Sequence, residues 1–157
     1  MPVMRRGALA GLAALLLVPR RSRAEAFYWD LNDRTRRFTA KVQPRMPNGL
    51  YPSTNHAGAY SATLHCLKAV QVMGGPVKAR SGKAVVAQMR LMPTDDDALG
   101  AGRIREDGRK IHNAPLCEVK APGQNKGEWD FYSLLDTIPA EQAFRPVAEG
   151  GRSLVKS

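Results

Sequence analysis

Residues 57–92 constrain this chain most: two helix-period apolar stretches, separated by Gly74-Gly75-Pro76. The first reads AGAYSATLHCLKAVQVM, and Ala57, Tyr60, Leu64, Leu67 and Val70 recur at steps of three and four. That spacing places Tyr60, Leu64 and Leu67 on one face and turns Lys68 away from it. Ser53 and Thr54 stand ahead as N-cap candidates, and the Gly-Gly-Pro break stops the helix. The second helix, Ser81 to Met92, is expected to start on Ser81 and to point Val85, Val86, Met89 and Met92 inward. It ends before Pro93, whose ring disfavours helical backbone in the preceding residue. Neither helix carries a catalytic group, so both read as scaffold.

A chain of 157 residues is long enough for one domain with a real core. Its formal charge of +10 is inflated by the first 24 residues, which hold five arginines and no acid. Without them, 19 basic against 14 acidic residues leave +5, scattered apart from Arg34, Arg36 and Arg37. A nucleic-acid module concentrates its charge beside exposed aromatics or on one helix, so no nucleic-acid partner is expected.

Residues 1–24 read as an export signal. Arg5-Arg6 form a positive start, Gly7 to Val18 is an uninterrupted small and apolar run, and Ser22-Arg23-Ala24 offers small residues for a signal peptidase. The run is short for a permanent membrane span. Arg20, Arg21 and Arg23 follow it, where positive charge hinders translocation. An amphipathic leader or a chance upstream reading frame is the alternative.

Cys66 and Cys117 form no CxxC pair and read as small buried hydrophobes. His56, His65 and His112 show no ligand spacing, so neither a metal nor another cofactor is expected.

Ala26-Phe27-Tyr28-Trp29 reads as a short aromatic strand that turns through Asp30–Asp33 into a helix, Arg34 to Val42, capped by Asn32 or Asp30. Functional groups are often exposed where such a strand ends, which makes Tyr28, Trp29 and Asp30 candidates to line a cleft. The alternative for the two aromatics is packing against the helix below. Gln43 to Asn55, with its prolines, glycine and asparagines, is a loop. Asn55 and His56 then stand at the start of the long helix, where free backbone N–H groups favour an anion. Asp95-Asp96-Asp97 lacks the glycine and terminal glutamate of a calcium loop and reads as a solvated turn.

Gly102–Arg105 and Arg109–His112 flank Glu106-Asp107-Gly108, a strong hairpin signal. Pro115 to Lys120 and Trp129 to Thr137 are further strands, separated by the polar loop 121–128. Pro139 opens a short helix to Phe144. No nucleophile elbow, phosphate loop, dinucleotide fingerprint or spaced carboxylate pair is present. The chain does not read as an enzyme.

AFYWDLND, HAGAYSATLHCLKAV, VVAQMRLMPTDD, GAGRIREDGRKIHNAPLCEVKAPGQNKGEWDFY and IPAEQAFRPVAEGG, taken in order, resemble the periplasmic solute-binding proteins of branched-chain amino acid-type ABC transporters, the leucine-binding protein family. The resemblance runs from Glu25 to the C-terminus. It implies an α/β fold: the C-terminal part of a type 1 periplasmic-binding-protein clamshell, with a hairpin around Asp107-Gly108. The domains it implies are a leader over 1–24 and a leucine-binding-protein-like fragment over 25–157. The implied role is a truncated substrate-binding component for amino acids or related small amides, located in the periplasm, with a membrane permease as partner and no chemistry of its own. A ligand-sensing module of the same fold, or a fragment without function, is the alternative. In this family an aromatic before the long helix often touches the ligand, and the matching position is about Asn55.

Overall fold

The computed structural model describes residues 22–149; the arginine-rich start and apolar run of the expected leader lie outside them. Its elements are β1 (Ser22–Ala24), α1 (Asp33–Val42), α2 (Thr54–Val72), α3 (Gly82–Leu91), β2 (Gly102–Ile104), β3 (Lys110–His112), β4 (Ala114–Val119), β5 (Tyr132–Ile138) and α4 (Ala140–Ala143). Two short 3₁₀ turns, Gln43–Arg45 and Pro47–Gly49, fill the expected proline-rich loop. Among the described residues the strands pair only antiparallel, as β1-β4-β5 and as the hairpin β2-β3. The mixed α/β character and the hairpin are as expected.

Three helix starts follow local chemistry. The Asn32 side chain accepts from the Arg34 and Thr35 N–H groups at 2.9 and 3.1 Å, and Thr35 Oγ1 accepts in return from the Asn32 N–H at 3.0 Å. This reciprocal box satisfies donors that a helix start leaves open. Ser53 caps α2 and Ser81 caps α3, the latter accepting from the Ala84 N–H.

The core is built on Phe38, which is fully buried. Its ring meets Phe27 edge-on at 5.4 Å and Tyr60 at 4.9 Å, and Ala57 and Ala98 complete the cluster. Ala26–Trp29 is not a strand. Phe27 and Tyr28 are both buried, whereas neighbours in a strand point to opposite faces. The strand of this region is β1, which starts four residues earlier; its register runs from Ser22 opposite Glu118 to Ala24 opposite Leu116. Likewise β5 starts at Tyr132 and leaves Trp129 in the loop.

Helix α2 buries a different face from the expected one. Ala57, Ser61, His65 and Ala69 are covered, Tyr60 and Leu64 are half-buried, and Leu67 is 61% exposed. Ser61 reaches Asp96 of the 94–99 loop at 2.6 Å and His65 faces the Met89 carbonyl of α3 at 2.8 Å, and these polar contacts turn that face inward. In α3, Val85 is buried but Val86 is exposed. Cys117 is buried as expected, Cys66 is only half-buried, and both are free thiols.

The Asp95–Asp97 triplet is a structural hub, contrary to the solvated turn expected of it. Asp96 is buried and accepts from Ser61 Oγ (2.6 Å), Lys110 Nζ (2.7 Å) and the N–H groups of Ala98 and Leu99 (3.0 and 2.8 Å). Burial raises the Asp96 pKa, but the Lys110, Ser61 and Leu99 bonds win and hold it below the ordinary carboxylate value. Asp95 and Asp97 pair with the basic side of α1: Arg34 to Asp95 at 2.5 Å and Lys41 to Asp97 at 2.9 Å. The hub thereby ties α1, α2 and β3 together. In the hairpin, Gly108 adopts φ +81°, the left-handed region that the turn needs.

Candidate functional site

Trp29 and Asp30 sit where the chain turns into α1, and the 121–130 loop folds back over them. Together with Tyr51, Lys120, Lys126, Glu128, Trp129 and Asp130 they line a cleft of about 420 Å³. Its wall is aromatic. Trp29 and Tyr51 meet at 4.7 Å, Tyr51 stacks on Trp129 at 6.0 Å, and Trp129 meets Phe131 edge-on at 5.9 Å. The wall is also hydrogen-bonded: the indole N–H of Trp29 donates to the Trp129 carbonyl at 2.8 Å. Contacts of this kind fix ring orientation, and rigid aromatics bury large area with little loss of rotamer freedom.

Asp130 anchors the loop beneath the wall. It accepts from Lys120 Nζ, from the Lys126 N–H at 2.9 Å and from the Tyr28 hydroxyl at 3.2 Å. The Lys120 bond, then the Lys126 N–H, hold its carboxyl below the ordinary value. Burial, reinforced by the nearby Asp130 charge, pushes the Tyr28 hydroxyl up to about 12. The tyrosine therefore stays protonated through the neutral range and acts as a donor, not as a base. Asp30 receives Arg36 Nη1 at 2.8 Å and stays partly exposed. The cleft thus shows carboxylates and ammonium groups around one aromatic wall. That arrangement can bind and orient a small polar molecule.

Of the five candidates read from sequence, Trp29 and Asp30 line the cleft and Tyr28 lies beneath it. Tyr28 faces a smaller cavity of about 230 Å³ on the other side of the aromatic wall. Asn55 and His56 are elsewhere. The start of α2 contributes Ser53 and Thr54 to that smaller cavity, while Asn55 and His56 are exposed on the first turn. The His56 ring is engaged locally, accepting from the Ser53 N–H at 3.1 Å and facing the Ser53 hydroxyl at 2.9 Å. Sequence reasoning missed Tyr51, Lys120, Trp129 and Asp130. A signal was present in two of them, since Tyr51 and Trp129 are large aromatic residues carried on loops. Nothing local says that these loops meet. Among the described residues no group of three or more His, Cys, Asp or Glu is placed to hold a metal ion.

Comparisons with known proteins bear on the family and the fold. The periplasmic binding protein family model matches residues 22–127. A periplasmic binding protein from Burkholderia mallei is 34% identical, with a TM-score of 0.74 over 87% of this chain and 35% of that one. A branched chain amino acid ABC transporter periplasmic ligand-binding protein from Burkholderia xenovorans LB400 is 37% identical, with a TM-score of 0.73 over 83% of this chain and 33% of that one. An ABC-type branched-chain amino acid transporter from Rhodopseudomonas palustris, 22% identical with a TM-score of 0.61, shares the fold. No curated protein matches the chain. The chain spans about a third of the length of the solved relatives. With the family model matched over most of its length, the chain belongs to the periplasmic binding protein family.

Proposed function

We propose that this chain acts within a solute-binding protein of an ABC importer, holding an amino acid or related small amide without transforming it. The observation that carries this reading is the 37% identity to a protein described as a periplasmic ligand-binding protein of a branched-chain amino acid transporter. The cleft supports it physically. A volume of about 420 Å³ suits a small solute, and the mixed charges of Asp30, Glu128, Lys120 and Lys126 suit a zwitterion lying on the Trp29–Tyr51–Trp129 wall. In this reading residues 1–24 direct export to the periplasm and the loaded protein docks on a membrane permease. Asn55 and His56, at the helix start, bind solute only if the loops rearrange around it. Closure requires the solute to interact better with the closed arrangement than with the open one.

The chain has two tryptophans, Trp29 and Trp129, and both line the cleft. Intrinsic fluorescence is therefore a direct reporter. Titration with a panel of amino acids and small amides is expected to give a saturable change for at least one of them. A folded chain, shown by a cooperative melt, that gives no change with the whole panel overturns the binding role. Fractionation of a C-terminally tagged chain tests the location, and recovery only from the cytoplasm overturns export.

A further inference from the structure

A second cavity, which shares no lining residue with the aromatic cleft, has the character of a binding site. It encloses about 480 Å³ between α2, α3 and the β2–β3 hairpin. Val86, Met89 and Ile104 give it apolar walls, and polar groups gather on one side. Lys110 donates to Ser61 Oγ and to Asp96 Oδ2, both at 2.7 Å. An ammonium has three N–H bonds, so one remains for a further acceptor. Arg90 stretches across from α3 to the hairpin turn, where its guanidinium donates to the Glu106 carbonyl at 2.8 Å and keeps donors to spare. Thr94 belongs to the same lining, and its buried hydroxyl has no hydrogen-bond partner. That hydroxyl is closed off against Gly102 and takes no part in the site, which rests on Lys110 and Arg90.

We infer that this cavity binds a small apolar monocarboxylate, with its hydrocarbon part against Val86, Met89 and Ile104 and its carboxylate toward Arg90 and Lys110. Asp96 already neutralises Lys110, so Arg90 supplies the uncompensated positive charge. The site is separate from the cleft and does not depend on what the cleft binds.

The probes are isovalerate and its neutral isostere isovaleramide, followed by amide chemical-shift mapping on the full chain. Isovalerate is expected to shift the amides of Met89, Ile104 and Lys110, and to bind about fivefold tighter than the amide, the margin of a charge-assisted over a neutral hydrogen bond. Arg90→Gln is expected to remove that preference. Val86→Trp fills the cavity from an exposed position and is expected to abolish the shifts while the chain still melts cooperatively. Shifts confined to the Trp29 cleft, equal affinity for acid and amide, or binding that survives Val86→Trp would each overturn the inference.

Discussion

Replacing Asp96 with Asn is the sharpest test of how this chain is held together. The substitution keeps the side-chain size and removes one charge. Lys110, with 14% of its side chain exposed, would then face the Ser61 hydroxyl and an amide with no counter-ion. Breaking a buried ion pair by removing one partner costs about 3 kcal/mol or more. At about 4 °C per kcal/mol for a domain of this size, the melting temperature is expected to fall by roughly 12 °C. Circular dichroism melts at pH 7 measure this directly. A double-mutant cycle with Lys110→Met separates the pair from the rest, because the double variant leaves no charge unpaired and should recover part of the loss. The pH dependence follows from the sign of the shift. The fold lowers the Asp96 pKa, so its stabilisation is complete above the unfolded value of about 4 and disappears as pH falls through the folded value. The gap between wild type and variant should therefore narrow below about pH 4. A loss under about 1 kcal/mol at pH 7, or a gap independent of pH, would refute the hub as the tie between α1, α2 and β3.

Other outcomes follow from single features. Phe38→Ala, at the fully buried centre of the core, is expected to cost about 3–5 kcal/mol in a denaturant titration. Gly102→Ala would place a Cβ 2.3 Å from the Ile111 carbonyl oxygen, and should raise amide exchange across the β2–β3 hairpin. Tyr28 should remain protonated well above pH 10, visible as a late-ionising fraction in an absorbance titration that Tyr28→Phe removes. Because its folded value is raised to about 12, its stabilising contribution is full below pH 10 and is lost as pH rises toward 12. Ellman's reagent should label half-buried Cys66 before Cys117, whose burial also pushes the thiol pKa up.

Local chemistry made part of this fold legible in the sequence. Asn32 and Ser81 announced helix starts because capping involves groups only a few residues apart. Asp107-Gly108 announced the hairpin because the turn itself requires a left-handed residue. Periodicity favours the other face of α2, because the Tyr60–Leu64–Leu67 stripe is more apolar than Ala57–Ser61–His65–Ala69. Periodicity ranks faces by hydrophobicity, whereas Ser61 and His65 are drawn inward by partners on other elements. Asp96 looked solvated because its partners Ser61 and Lys110 come from other elements. The cleft was half visible: Trp29 and Asp30 flank one turn, whereas Tyr51 and Trp129 arrive on loops whose meeting depends on the finished fold.

Strand β1 spans Ser22–Ala24, and the peptidase site suggested by Ser22-Arg23-Ala24 falls at its end. A cut there would turn β4 from an interior strand into a rim, baring the main-chain groups opposite Leu116, Cys117 and Glu118. A bared rim recruits any extended peptide that drifts past, including another molecule of the same kind. Maturation at that bond would thus trade a sealed edge for a sticky one, and the position of the scissile bond becomes a determinant of whether the product stays dispersed.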